Sequence, residues 1–182
     1  MKHKLQREGA LFLFIDIQDS LTQVMDGGQE LRKNAKILAQ TAEIMDIPTL
    51  FTTQYAKGLG PFDPEIRPLR PSGVEMDKKA FSIMLDEEIA AHLKEVAPKQ
   101  IILSGEEAHI CVLLSTRDLL QEGYEVYVVH DAVASRKMEN KVHALNEMRD
   151  MGAVVRSTES ILFDFNGKAG TPEFKAIQAL IK

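Results

Sequence analysis

The chain has 182 residues, 45% of them hydrophobic and 27% charged, with a formal net charge of -5. That length and apolar content exclude disorder and any need for disulfide or metal staples, and they predict a single domain over residues 1–182. The acidic balance lacks the basic footprint of a nucleic-acid partner, and no apolar run approaches the ~20 residues of a membrane span.

The polar run Met1–Gly9 leads straight into a strand, which predicts neither a signal nor a transit peptide. Ala10–Ile15 is continuously apolar, as a strand buried on both faces is. Leu31, Ala35, Leu38, Ala42 and Met45 recur at three- and four-residue steps and predict an amphipathic helix. Ile47–Thr53 is short and β-branched, a second strand with Pro48 near its start. Residues 54–73, punctuated by Gly58, Gly60, Pro61, Pro64, Pro68, Pro71 and Gly73, read as a long surface loop of the kind that tends to carry function. A helix over 85–96 closed by Pro98, a strand over 100–104 and a helix over 111–121 ended by Gly123 follow. A strand over 124–130, a helix over 140–151 stopped by Gly152 and a short strand over 153–156 come next. Helices near 158–163 and 171–181 complete the chain. Such alternation predicts a doubly wound three-layer α/β/α sandwich on a mainly parallel sheet of about six strands.

In open α/β sheets, sites form beyond the carboxyl ends of the strands. That rule selects Asp16 after the first strand, Lys78 and Lys79 after the long loop, and the turn from Ser104 to Cys111. Asp16 lies between apolar neighbours in Phe14-Ile-Asp-Ile-Gln18, so its carboxylate is desolvated and needs a cation. Cys111, the lone cysteine, is expected at the first turn of a helix, where free N–H groups favour a thiolate and can hold an oxyanion. The competing reading is a small buried hydrophobe. A chain with one cysteine forms no internal disulfide, which fits a reducing, cytoplasmic home. His109, two residues before Cys111, diverges from it on a helix and reads as a pocket wall. Metal-ligand spacings such as His-Glu-x-x-His or Cys-x-x-Cys are missing, as are phosphate-loop patterns, so neither a metal nor any other cofactor is expected.

The segments Phe14–Gln18, Thr53–Gly60, Lys78–Met84, Gly105-Glu-Glu-Ala-His-Ile-Cys-Val112 and His130-Asp-Ala-Val-Ala-Ser-Arg136 together resemble the isochorismatase-like cysteine hydrolases. The likeness is greatest to the branch of isochorismatase domain-containing proteins. It implies a catalytic triad of Asp16, Lys78 and Cys111. The family lysine precedes a serine by four residues, which selects Lys78, before Ser82, over Lys79. The resemblance also implies a non-proline cis peptide between Glu106 and Glu107, and an oxyanion hole from the N–H groups of Glu107 and Cys111. Gln18, Tyr55, Phe81, Ala108 and His109 would line the substrate pocket. Where nicotinamidases of the superfamily carry a metal-binding Asp-x-His, this chain has Gln54-Tyr-Ala56, which implies a metal-free site. The expected reaction is cleavage of a small amide-type C–N bond through a thioester. A cysteine-independent vinyl-ether hydrolase and a non-catalytic interaction protein are the alternatives. Homo-oligomers are common in the family, and the apolar segment Phe174, Ile177, Leu180 and Ile181 has two possible homes, within the monomer or against a partner.

Overall fold

A computed structural model describes residues 3–182; Met1 and Lys2, the start of the polar leader, lie outside them. The chain runs β1 (Ala10–Ile15), α1 (Asp19–Thr22), α2 (Gly28–Met45), β2 (Thr49–Gln54), α3 (Ala56–Leu59) and β3 (Val74–Lys78). It continues through α4 (Glu87–Val96), β4 (Gln100–Glu106), α5 (Leu113–Gln121), β5 (Glu125–Ala134), α6 (Met138–Asp150), β6 (Val154–Arg156), α7 (Thr158–Asn166) and α8 (Pro172–Ala179). One π-helical turn, Ala108–Val112, joins β4 to α5.

All six strands are parallel, in the order β3-β2-β1-β4-β5-β6. Order reverses between β1 and β4, so the crevice between their carboxyl ends is where such a sheet admits a ligand. Every residue of β1 is buried because both faces of the sheet are covered. Phe12 and Phe14 face α2, α7 and α8, where Leu31, Leu38, Met45, Ile161 and Ile177 complete one core. Leu11, Leu13 and Ile15 face α4, α5 and α6, against Leu93, Leu119 and Met148. The predicted apolar stripe of α2 is wholly buried, which is why a helix forms there despite the Gly28 start. The carboxyl-terminal apolar segment packs within the monomer, with Ile177 buried and Leu180 and Ile181 against the same core.

Two differences from the sequence reading bear on the site. β3, over Val74–Lys78, follows the expected loop of residues 54–73 in a stretch to which no element had been assigned. It is an edge strand with mostly exposed side chains, so its apolar signal is weak. β5 runs on past His130 to Ala134, carrying the chain to Ser135 and Arg136 beside the β4 turn. Among the described residues, no helix is long and apolar enough to cross a membrane.

Candidate functional site

Asp16 ends β1 in the left-handed region, φ 55, which a short polar side chain tolerates better than a branched one. Its N–H donates to Thr52 O at 3.0 Å, holding the β1–β2 pairing while the turn swings the carboxylate between strands. Oδ1 accepts from Thr52 Oγ1 at 2.8 Å, and Oδ2 from Lys78 Nζ at 2.6 Å. Lys78 closes β3 opposite Gln54 of β2. Its other two donors reach Gln54 Oε1 at 2.7 Å and Ala80 O at 3.2 Å. Both charges are buried, and the ammonium uses all three protons. Lys79, by contrast, is exposed.

β4 reaches this pair because Gly105, φ 132, lets it close on β1; a β carbon there would lie 2.0 Å from Ile15 O. The Glu106–Glu107 peptide that follows is cis. Val112 N–H then donates to Glu107 O at 3.2 Å across the π turn, which brings Cys111 back toward the rim. Cys111 Sγ lies 4.0 Å from Gln54 Oε1, the same oxygen that Lys78 holds, and its thiol also contacts the Asp16 carboxyl.

The thiol differs from the sequence expectation. Burial pushes it up to about 12, the Asp16 charge adds to that, and Lys78 and the Glu107 N–H oppose it. Only 6% of Cys111 is exposed, and this desolvation outweighs the helix-end effect argued from sequence. The resting sulfur is therefore a protonated thiol. Burial likewise raises Asp16, against the Lys78 ion pair and the hydrogen bonds from Lys78 and Thr52.

The remaining expected pocket residues divide. Tyr55 and Phe81 are exposed, whereas Ala108 is buried. Gln18 is buried and serves as a bracket: Oε1 accepts from Gln54 N–H at 2.7 Å and Nε2 donates to Gly60 O at 2.6 Å. His109 has both ring nitrogens engaged, Nδ1 with Ser135 Oγ at 3.0 Å and Nε2 with Asn140 Nδ2 at 3.4 Å. With the Asn140 amide donating, the ring proton is assigned to Nδ1, and His109 has no lone pair free for Cys111. The Glu107 side chain accepts from Arg136 N at 3.0 Å and from Arg136 Nε at 3.1 Å, clamping the residue whose N–H meets the sulfur.

Sequence reasoning missed Gln54 and Arg136 as parts of the site. Gln54 had a usable signal, since a residue at the carboxyl end of β2 faces the same rim as Asp16. A groove of about 490 Å³ runs beside the rim, lined by Asp77, Lys78, Lys79, Ala80, Leu85 and Asp86, with Glu87 and Glu88 at its end. Among the described residues, no group of three or more His, Cys, Asp or Glu side chains is placed to hold a metal ion.

The model of the isochorismatase domain matches residues 10–160, which include Asp16, Lys78 and Cys111. The chain belongs to the isochorismatase family. A zebrafish (Danio rerio) isochorismatase domain-containing protein 2 is 35% identical over 98% of this chain and 89% of its own. The secreted isochorismatase effector Isc1 of Phytophthora sojae is 41% identical over 80% of this chain and 71% of its own. Among solved structures, the MAR1 ribonuclease of Caenorhabditis elegans superposes with a TM-score of 0.91 at 32% identity, over 98% of this chain and 92% of that one. The isochorismatase-like sandwich and the domain-containing branch expected from sequence are thus found.

Proposed function

We propose that this isochorismatase-family chain is a cysteine hydrolase that cleaves a small amide-type C–N bond. The observation that carries the reading is the buried Asp16–Lys78 pair, 2.6 Å apart at the carboxyl ends of the strands, with Cys111 in contact with both Asp16 and Gln54. Because the thiol rests protonated, attack and proton transfer belong to one step: Sγ bonds to the carbonyl carbon as its proton passes to the Asp16 carboxylate. Lys78 holds that carboxylate in place. The oxyanion forms at the Glu107 and Cys111 N–H groups, and protonated Asp16 returns its proton to the departing amine. Water then attacks the thioester carbon as Asp16 takes its proton; the C–S bond breaks, the sulfur takes that proton back from Asp16, and the carboxylic acid leaves. Tyr55 and Phe81 offer apolar walls at the entrance, with Gln18, Ala108 and His109 fixing the pocket behind them.

Four carboxylates line the groove beside the rim, which favours neutral small molecules over anions. The C. elegans relative is called a ribonuclease, but a net charge of -5 gives this chain little attraction for a phosphate backbone. One observation favours a second reading: a thiol pushed up to about 12 is a poor nucleophile, while Asp16, raised by burial, suits acid catalysis on a vinyl ether without sulfur. Screening small amides, ureas and vinyl ethers with wild type and Cys111→Ala separates the two. Amide turnover lost in Cys111→Ala supports the thiol; vinyl-ether turnover that survives it supports the second reading. If the whole screen is silent with folded wild-type protein, the result counts against the amide reading and for the non-catalytic one.

The domain is read as spanning 1–182, since α7 and α8 pack on the core of α2. The exposed apolar residues Phe81 and Leu85, 56% and 70% accessible, support self-association, which sedimentation tests. A cytoplasmic setting suits a free thiol; because one relative is named a secreted effector, cell fractionation is the direct check.

A further inference from the structure

Glu106, at the carboxyl end of β4, is a buried carboxyl that the proposed chemistry leaves unused. The β4 irregularity at Gly105 breaks the strand's alternation, and the Glu106 side chain lies under α1, against Thr22. Its Oε1 lies 2.6 Å from Thr22 Oγ1, and its Oε2 is buried without any partner. Thr22 Oγ1 also lies 3.0 Å from Gln18 O. A hydroxyl has one proton to give, and a carbonyl can only accept. The Thr22 hydroxyl lies within donor range of both oxygens, and Gln18 O already accepts the Leu21 and Thr22 N–H groups at 2.9 and 2.8 Å, so both hydroxyl contacts can be hydrogen bonds only if Glu106 brings a proton of its own. A carboxylic acid satisfies this chain of bonds. A carboxylate would add a second claim on one proton and leave charge on an oxygen that nothing touches.

The surroundings agree. The charged groups facing Glu106 are Asp16 from β1, which opposes ionisation, and Arg32 from α2. Arg32 is already engaged by Asp19 and, at 2.6 Å, by Asp63 Oδ2. The α1 turn supplies only Thr22 and Gln18, and β5 sets the uncharged Ala134 opposite. Burial, the largest influence, with Asp16 adding, pushes Glu106 up to about 8, against Thr22, the Gln18 N–H and Arg32.

Gln18 makes this proton matter. Its carbonyl ends the Glu106–Thr22 chain, while its side chain grips Gln54 N–H and Gly60 O. Gln54 in turn holds Lys78 and reaches Cys111. We propose that Glu106 is a positioning residue that works as a neutral acid: by donating into Thr22 and Gln18 it fixes the turn that carries Asp16, and its ionisation loosens that turn and sets an alkaline limit on the site. The positioning role rests on the Asp16–Lys78–Cys111 reading; the proton on Glu106 does not.

The test is infrared spectroscopy of the full chain, wild type minus Glu106→Gln, from roughly pH 6 to 10, beside the rate at which iodoacetamide modifies Cys111 in both proteins. The glutamine amide can still donate to Thr22 but cannot ionise. The expected result is a protonated-carboxyl C=O band unique to wild type that disappears with a midpoint near 8. The ratio of the two alkylation rates should be flat below that midpoint and change by about threefold or more above it, the equivalent of a half-unit shift of the thiol. A missing band, or one lost at an ordinary glutamate midpoint of ~4.3, overturns the proposal. A ratio that stays flat through the midpoint overturns the positioning role. Should Glu106→Gln not fold, carbon-13 NMR of labelled glutamate carboxyls in wild type reads the same titration. Retained amide turnover in Cys111→Ala would remove the thiol chemistry and leave the infrared midpoint standing, so the two failures are distinct.

Discussion

Two buried carboxyls end adjacent strands, Asp16 after β1 and Glu106 on β4, and they are treated oppositely. Asp16 sits on the β1–β2–β3 side, where a hydroxyl and a lysine ammonium occupy its two oxygens. Glu106, on the other face, meets only the Thr22 hydroxyl and the Gln18 N–H, and its Oε2 has no hydrogen-bond partner. Burial raises both groups, but only Asp16 has a cation in contact to favour its charge. A buried acid with a matched cation can hold a charge ready for chemistry. One given only dipoles keeps its proton and acts as a neutral donor.

The comparison can be broken most forcefully at the sulfur. Cys111→Ala should lower turnover of a responsive amide by on the order of 10³-fold or more while the circular dichroism spectrum stays unchanged. Next, Lys78→Met leaves Asp16 buried without its cation and should cost about 3–5 kcal/mol in urea unfolding. Adding Asp16→Asn should recover much of that, because it removes the stranded charge. Glu106→Gln acts in the opposite direction. The folded-state value near 8 lies above the ordinary 4.5, so wild type keeps its full stability below about pH 4.5 and loses it as pH rises toward 8. The variant should match wild type in acid and exceed it by about 4 kcal/mol at pH 8, read from paired urea titrations. Gln18→Ala strips the Gln54 N–H of its acceptor and should cost about 1–3 kcal/mol. Arg136→Ala is the mildest: its side chain is 61% exposed, so the ion pair with Glu107 is worth under about 1 kcal/mol in stability.

Much of this architecture was legible because it follows from patterns within single segments. The unbroken apolar run of β1 announced a strand covered on both faces, and the stripe of α2 announced the helix covering one of them. Asp16 could be assigned a cation from its apolar neighbours alone. β3 could not be read so easily: five residues of mixed polarity on a sheet edge bury too little to leave a clear alternation. Gln54 offered only its place at the carboxyl end of β2 as a signal; its partner became visible once the register set it opposite Lys78. The thiol's high proton affinity was beyond the sequence, because it depends on how much solvent the folded π turn excludes. Glu106 had no such signal, because the β4 irregularity at Gly105 breaks the alternation before it, and its empty oxygen is a fact of three-dimensional packing.

The position of Lys78 has one more consequence. It is the last residue of β3, and β3 is bonded to β2 alone, with its far side open. Outermost strands exchange their amide protons sooner than central ones. The counter-ion of the deepest acid is thus supplied by an outermost ribbon, and each fraying of that ribbon briefly withdraws the ammonium. Deuterium uptake at Val74–Lys78 should therefore clock how often Asp16 is left alone.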